Sequence, residues 1–429
     1  MCQIKSRLIH VTDSFPHQVV DSRAFTSLSD LNKIKELIVQ KFHFRVEVTE
    51  LNHSNGRVLV FSIPSRPQGT PIIFDGIYWM RAGESLLPMT PDKLKRIFAE
   101  GQLDWFSQAA KVGVGADEVI ALLDIQTYFD LAELPYPTTR DGVLERLVNE
   151  ELISPGAYGW TISNLAAILL AKNLDSFSPE LARKAPRIVI YEGTSKLNTR
   201  EDKRSTRGYA VGFEGVIDFV YSSAPQNRSI EQVVREEVKM FPKQALRELV
   251  ANALVHQDLL VAGMSVMIEM YSDRIEISNP GQPPIKVERF IDEYRSRNER
   301  LADIMRRLGI CDEKGSGVDK IIRAAEAAQL PAPDFRVGEI RTIAVLFAHK
   351  DFSTMSKADR ERACYQHCCL MYVTNQRMSN YSLRERFGGE AKAATVSLII
   401  GATKEAGLIK PDESDTTSTR YARYLPFWA

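Results

Sequence analysis

Residues 246–256, read LRELVANALVH, constrain this chain more than any other stretch. They follow Phe241-Pro242, and proline is favoured at the first position of a helix. At roughly 100° per residue the apolar side chains fall on one side, while Glu248, Asn252 and His256, spaced four apart, form a second stripe. A carboxylate and an amide one helical turn apart can hold a water and ligate a hard cation such as Mg²⁺. An ordinary amphipathic helix with solvated polar positions would show the same spacing.

Composition limits the classes of protein to consider. A chain of 429 residues, 44% apolar and 26% charged, is typical of a globular protein, and its length predicts about two to four domains. Because the formal net charge is zero, any nucleic-acid-binding surface must be local. Five cysteines favour a reducing compartment over a disulfide framework. Without a signal-peptide pattern or an apolar run of about 18 residues, we expect a cytoplasmic protein with no membrane partner.

The first part of the chain has an α/β pattern. Spacing predicts a helix over 31–42, a hairpin of strands 44–51 and 57–63 turning at Asn55-Gly56, a strand over 76–83, and a helix from Thr90-Pro91. The stretch IPSRPQGTP followed by GIYWMRAGESLLPMTPDKL resembles the back half of the Schlafen AlbA-like domain. The resemblance implies a nucleic-acid-binding domain, in which Arg81 is a candidate contact. A turn with core packing would also account for Arg81.

The front of that family pattern, a glutamate-rich strand and a Gly-Gly strand, has no counterpart here. We therefore expect an incomplete, N-terminally truncated version of the domain over 1–112. A Schlafen-like nuclease is disfavoured because the acidic residues of that front half are absent.

Residues 113–180 show helical periodicity, with helices expected over 118–128 and 138–149 and a third that starts within 161–164 and runs to 170. We interpret them as a helical connector without chemistry of its own. A strand follows at 188–191. The polar segment 192–207, which carries five basic residues, is expected to be a loop.

A second cluster of motifs follows the stripe of Glu248, Asn252 and His256. Strands over 264–271 and 275–278 form a hairpin that ends at Asn279-Pro280-Gly281, and a helix is expected over 299–308. Lys314-Gly315-Ser316-Gly317 then precedes a helix that starts near Val318. Free backbone N–H groups at a helix start suit a phosphate, although a Gly-x-Gly by itself also fits a simple tight turn.

In this order, the motifs resemble the divergent ATPase domain of the GHKL (Bergerat) type, over roughly 188–347, and more specifically the subfamily named for RecG-related ATP-dependent DNA helicases. The resemblance implies ATP and Mg²⁺ as cofactors. It assigns Glu248 to positioning the attacking water as the catalytic residue, and Asn252 to the metal. It places the nucleotide among His256, Asn279, Gly281, Lys314, Gly315, Ser316 and Gly317, and it matches Arg297-Asn298 to the family's Arg-Asn pair on the lid.

One residue departs from the family pattern. Asn279 stands where an aspartate accepts a hydrogen bond from the adenine amino group, and an amide oxygen mimics that carboxylate only in part. Weak nucleotide binding, or specificity for another base, is therefore expected. The sequence also contains no G-x-x-x-x-G-K-[ST] phosphate loop, so a helicase motor is not supported. Turnover is left open, with weak ATPase activity as the most the residues imply.

The last part of the chain has the order of a winged helix-turn-helix. Helices are expected over 360–373, 383–387 and 390–406, and a closing strand over 421–428. The third helix would contact DNA, and the wing would contact phosphates. Eleven basic against eight acidic residues over 356–429 give a modest positive charge. A protein contact or dimerisation would use the same fold. The candidate nucleic-acid-binding residues are Lys392, Thr395, Ser397, Lys404, Arg420 and Arg423.

Together these patterns predict a multidomain protein of α/β and α+β class. The expected domains are a Schlafen AlbA-like domain (1–112), a helical connector (113–180), a GHKL-like α/β sandwich (181–350) and a winged helix-turn-helix (351–429). The leading hypothesis is an ATP-binding protein whose nucleotide site modulates contact with DNA or RNA. The alternatives are a non-enzymatic transcriptional regulator with a degenerate ATPase scaffold, and a truncated, non-functional copy of a longer protein. The sequence is also compatible with a homo-oligomer.

Overall fold

The protein is described by a computed structural model that covers residues 27–42, 45–53, 56–63, 66, 69–82, 85–100, 104–225, 239–311, 317–412 and 422–429. It is a mixed α/β, multidomain fold, as predicted. The chain divides into two compact units, one ending at Asp104 and the other formed by Trp105–Ala429. No helix within the described ranges is both long and apolar enough to cross a membrane.

Two helices and two small sheets make up the described part of the first unit. The predicted hairpin is confirmed, with β1 and β2 antiparallel and His53 paired with Gly56. Gly56 has a φ of 130°, a conformation that glycine adopts without strain. A three-stranded sheet in the order β3-β4-β5 follows. The elements are α1 (Leu28–Phe42), β1 (Glu47–His53), β2 (Gly56–Ser62), β3 (Ile73–Phe74), β4 (Ile77–Ala82), β5 (Ser85–Pro88) and α2 (Pro91–Glu100).

The second unit begins with strands as well as helices. β8 lies between β6 and β7 in an antiparallel sheet. The expected single helix over 118–128 is two helices, because the extended backbone of Leu123 ends the first. Asp124 caps the second by accepting from the Thr127 N–H at 3.2 Å. The elements are β6 (Ala109–Val114), α3 (Ala116–Leu122), α4 (Ile125–Leu131), α5 (Arg140–Asn149), β7 (Ile153–Gly156), β8 (Gly159–Ser163), α6 (Asn164–Leu170) and α7 (Pro179–Ala182).

A six-stranded sheet in the order β10-β9-β11-β12-β14-β13 follows, with β9 and β11 parallel and the other neighbours antiparallel. Helices cover it from one side, and their apolar residues share a core with the sheet. We call residues 187–347 the sheet domain. Its elements are β9 (Arg187–Tyr191), β10 (Thr199–Arg204), α8 (Tyr209–Ser223), α9 (Lys243–His256), β11 (Met267–Met270), β12 (Arg274–Pro280), α10 (Glu299–Arg307), α11 (Gly317–Ala327), β13 (Asp334–Val337) and β14 (Arg341–Phe347).

One prediction in this domain is wrong. The polar segment 192–207, expected to be a loop, contains the edge strand β10. The segment was not recognised as a strand because most of its side chains are charged and exposed. Charges on an edge strand block further pairing. Asp202 of β10 pairs with Arg187 of β9, its neighbour in the sheet.

Residues 357–429, here called the C-terminal module, have the predicted order of three helices and a two-stranded sheet. Its core is a second hydrophobic cluster, which also contains Ile291, Ile322 and Ala332 of the sheet domain. Three buried cysteines, Cys364, Cys368 and Cys369, belong to it. Ser356 caps the first helix through a capping box with Asp359. The elements are α12 (Lys357–Val373), α13 (Asn380–Arg386), α14 (Ala393–Glu405), β15 (Ile409–Pro411) and β16 (Tyr424–Pro426).

Candidate functional site

Helix α9 carries the polar stripe. It begins after Pro242 and ends at His256, as predicted. Its apolar face is fully enclosed by the core of the sheet domain, with Leu246, Val250 and Ala251 each 0% exposed. Glu248, Asn252 and His256 instead line a cavity of about 130 Å³. The core therefore fixes the rotation of the helix, and that rotation presents all three polar side chains to one space.

The cavity brings together residues that are far apart in sequence. Of the predicted nucleotide-site residues, Asn279 of β12 and Gly317 of α11 join the α9 stripe in its wall. Gly281 is not among the described residues that line the cavity. Lys314, Gly315 and Ser316 fall outside the described residues. Sequence reasoning missed a larger part of the wall, including Pro283, Pro284, Ile285, Phe290, Glu293, Tyr294, Arg295, Arg306, Cys311, Phe335 and Thr342.

Gly317 is the point of closest approach between α11 and the polar stripe. A Cβ built at this glycine would lie 2.9 Å from Glu248 Oε2 and 3.2 Å from Asn252 Nδ2. Such a separation is too short for an ordinary carbon contact, so a side chain at this position would displace the Glu248 carboxylate or the Asn252 amide. Gly317 is also the first described residue of α11. The N-terminal half of this helix, where the dipole is positive, therefore lies beside a carboxylate and an amide.

On the sheet side, Asn279 is 8% exposed and its Nδ2 donates to the Pro280 carbonyl at 3.1 Å. Thr342 is its partner across β14, and Thr342 Oγ1 donates to the Gly281 carbonyl at 2.8 Å. The nitrogen keeps a second N–H to donate, and the amide oxygen is the acceptor of this side chain.

Gly281 forms the turn behind Asn279. Its φ is 92°, and a Cβ there would lie 2.8 Å from the Asp258 Cβ. Glycine is favoured at this position for two reasons. The backbone has a left-handed conformation, and the segment that follows α9 approaches it closely.

His256 ends α9 with its ring edge-on to Tyr294, the two centroids being 6.5 Å apart. Burial, reinforced by the positive charge of Arg297, lowers the pKa of His256 to about 4. The imidazole is therefore neutral at pH 7. A neutral imidazole has one donor and one acceptor nitrogen.

Arg297 and Asn298 hold the end of α9 in place. Asn298 Nδ2 donates to the carbonyls of Val255 at 2.8 Å and Gln257 at 2.7 Å, which satisfies backbone groups that a helix end leaves open. Arg297 Nη1 donates to Asp258 Oδ2 at 3.2 Å. The pair matched to the lid by resemblance thus contacts the last turn of α9 and the two residues that follow the helix.

The donor set at the centre of the cavity suits Mg²⁺. Glu248 and Asn252 supply carboxylate and amide oxygens, the hard donors this ion prefers. The described residues contain no group of three or more His, Cys, Asp or Glu side chains that could hold a metal. A site with so few protein ligands fits Mg²⁺ that is shared with phosphate oxygens and waters, as is usual for nucleotide-bound Mg²⁺.

The predicted nucleic-acid contacts lie elsewhere. Lys392 precedes α14 and Lys404 lies in its last turn, both exposed, while Thr395 is half-buried. Ser397 Oγ accepts a hydrogen bond from Asn380 Nδ2 at 2.9 Å, which ties α14 to α13. Arg423 is half-buried just before β16, and Arg420 falls outside the described residues. Arg81 is exposed on β4 of the first unit.

Comparison with known proteins agrees with part of this picture. Residues 263–346 match a family model described as "Putative ATP-dependent DNA helicase recG C-terminal". The match covers β11 through most of β14 and supports an ATPase-like domain in this part of the chain; Glu248 and Asn252 precede it. No curated protein matches the chain. A crystal structure of the DIP2311 protein from Corynebacterium diphtheriae aligns with 92% of this chain and 79% of that one, with 16% identity and a TM-score of 0.48.

Proposed function

We propose that this protein binds ATP with Mg²⁺ in the cavity beside α9, and that nucleotide binding modulates contact between the C-terminal module and DNA. The observation that carries the nucleotide half is the meeting of Glu248 and Asn252 with the backbone of Gly317. A carboxylate, an amide oxygen and the first described turn of α11 then face one cavity. This combination suits a triphosphate carrying a divalent cation.

Each polar group has a part in the proposal. Asn252 Oδ1 would ligate Mg²⁺, and the ion would neutralise charge on the phosphates. Glu248 would accept a hydrogen bond from a water and orient it towards the terminal phosphate. The neutral imidazole of His256 would donate one hydrogen bond without adding charge. Arg295 and Arg306, which also line the cavity, would add positive charge near a polyanion.

The base would lie against β12 and β14. Asn279 Oδ1 would accept from an adenine amino group, while its Nδ2 stays on the Pro280 carbonyl. The cavity wall beyond Asn279 is mainly apolar, with Ile277, Pro283, Ile285 and Phe335. Such a wall suits the faces of a flat ring. Because Asn279 is uncharged, the contact is weaker than one made by an aspartate.

The DNA half of the proposal is supported by the element order of the C-terminal module, which is that of a winged helix. α14 would contact DNA, with the exposed Lys392 and Lys404 at its two ends. The first unit, which bears Arg81, would be a Schlafen AlbA-like domain and a second place for nucleic acid. The resemblance is the support for that assignment.

A binding experiment tests the nucleotide half directly. The fluorescent ATP analogue mant-ATP is titrated with Mg²⁺ into the full chain and into Asn252→Ala, with Asn198→Ala as a control at an exposed loop position. We expect Asn252→Ala to weaken binding about tenfold or more, since a metal ligand is lost, and the control to bind as the wild type does. Equal affinity in all three proteins, or no binding to the wild type, contradicts the proposal.

A second function, a transcriptional regulator that uses the sheet domain only as a scaffold, is favoured by one observation. The amide of Asn279 is already engaged within its own strand, and it lacks the charge that would strengthen contact with adenine. Salt-dependent DNA binding that is the same with and without ATP and Mg²⁺ would favour this function over the first.

A further inference from the structure

Helix α11 belongs to two hydrophobic cores. Ile321 and Ala325, both 0% exposed, pack in the core of the sheet domain together with Leu249 of α9. Ile322, 3% exposed, packs in the core of the C-terminal module, where Val318 also contacts it. One helix is therefore held by the packing of two domains on neighbouring parts of its surface. It cannot shift against either without disturbing close-packed side chains.

The two ends of α11 make the most specific contacts. At its start, Gly317 lies against Glu248 and Asn252. Towards its end, Glu326 faces two side chains of the C-terminal module: Arg386 Nε lies 3.2 Å from Glu326 Oε1, and His367 Nδ1 lies 3.1 Å from Glu326 Oε2. We call Glu326, His367 and Arg386 the charge cluster.

The charge cluster is enclosed. The side chains of Arg386, His367 and Glu326 are 2%, 9% and 15% exposed. Arg386 also donates from Nη2 to the Leu330 carbonyl at 2.7 Å, which fixes the chain just beyond α11. A buried ion pair of this kind tolerates little displacement, because moving one partner leaves the other charged and desolvated. The cluster therefore determines where the end of α11 lies relative to α12 and α13.

We propose that α11 couples the cavity to the C-terminal module, with the charge cluster as its fixed point. Through this helix the C-terminal module positions Gly317 against Glu248 and Asn252. A change at the cavity is in turn transmitted to α12 and α13, because coupling between two sites is reciprocal. The predicted effect on nucleotide binding rests on the function proposed above. The coupling between the two domains rests on the packing of α11 alone.

The first experiment needs no nucleotide. Hydrogen–deuterium exchange is measured by mass spectrometry on the full chain, on Arg386→Met, and on the control Arg377→Met. Arg377 pairs with Asp412 within the C-terminal module at 3.0 Å and is 40% exposed. We expect Arg386→Met to speed exchange about tenfold in peptides covering the first turns of α11 and the second half of α9, and Arg377→Met to leave these peptides unchanged. Changes confined to 357–429, or the same change in both variants, would overturn the coupling.

The second experiment measures the affinity of mant-ATP with Mg²⁺ for the same proteins. We expect about fivefold to tenfold weaker binding to Arg386→Met, in the usual range of coupling between sites. Arg386→Lys, which keeps the charge, should recover part of the loss, and Arg377→Met should bind as the wild type does. If Arg386→Met does not fold, Glu326→Gln takes its place, because it removes the carboxylate charge from the α11 side and keeps the shape.

The two experiments separate the two proposals. If the wild type does not bind mant-ATP, the proposed function fails, and the exchange data alone decide whether α11 couples the domains. If the wild type binds it and Arg386→Met binds equally well with unchanged exchange in α9, the coupling fails and the nucleotide site stands.

Discussion

Gly317 is a residue of the site at which an added side chain would meet the polar stripe. Replacing it by alanine would place a Cβ 2.9 Å from Glu248 Oε2 and 3.2 Å from Asn252 Nδ2. The carboxylate is the far end of a flexible side chain, so it can move at small cost to folding but at the expense of its position. We expect Gly317→Ala to weaken mant-ATP binding about tenfold, or about 1.4 kcal/mol, with little change in the thermal midpoint.

Gly215 is the matched control for that prediction. It lies inside α8, where a Cβ would meet nothing within 4 Å. Gly215→Ala should leave nucleotide affinity unchanged and stabilise the helix by up to about 1 kcal/mol, because alanine favours the helical backbone. If the two alanine variants have the same affinity for mant-ATP, Gly317 has no special part in the site.

His256 makes stability depend on pH. Its pKa, about 4 in the folded chain, lies below the ordinary value of about 6.5. Between these values the unfolded chain binds a proton that the folded chain does not, so this residue's contribution to stability is present above about pH 6.5 and is lost as pH falls towards 4. We expect the free energy of unfolding of the wild type to fall by about 2 kcal/mol more than that of His256→Gln between pH 7 and pH 5.

Urea unfolding at the two pH values measures this difference. The exposed His349 supplies the control, and His349→Gln should follow the wild type at both pH values. Parallel loss of stability in the wild type and His256→Gln would mean that the imidazole of His256 is not held neutral by its surroundings.

At the scale of elements, the sequence predicted those whose hydrophobic period is strong. α9, the hairpin of β11 and β12, and the three helices of the C-terminal module all lie close to where the spacing placed them. β10 was missed because it carries charges at most of its positions, one of the ways in which an edge strand is protected from further pairing. β6, β7 and β8 were missed because they are short and contain Gly and Pro, which indicate turns more often than strands.

The candidate site could also be predicted only in part, because spacing relates residues of one element but not residues of separate elements. Residues on one helix, such as Glu248 and Asn252, can be assigned to one face from their spacing alone. Arg295, Arg306 and Thr342 come from three separate elements or segments, and only tertiary packing brings them to the same cavity. The shared role of α11 was equally inaccessible, because adjacent residues such as Ile321 and Ile322 pack in different cores. Helical spacing indicates that both residues are apolar and buried, but not that they pack against different domains.

At the scale of the whole molecule, the zero net charge means that any affinity for DNA must come from a few local cations. The exposed Lys392 and Lys404 are the candidates on α14. Each phosphate contact contributes about one unit to the slope of the logarithm of affinity against the logarithm of salt concentration. We therefore expect Lys392→Ala and Lys404→Ala each to reduce that slope by about one, measured by fluorescence anisotropy with a labelled random-sequence duplex.

Lys357, at the start of α12 with a side chain 82% exposed, controls for charge alone. Lys357→Ala removes the same charge from the same module at a distance from α14 in sequence, and it should leave the slope unchanged. If all three variants lower the slope equally, binding is a diffuse attraction to the module. If none does, the DNA-binding surface does not include α14. Only a lower slope that is restricted to Lys392→Ala and Lys404→Ala supports an oriented contact between α14 and DNA. In such an oriented contact, a displacement of α11 would change the affinity for DNA.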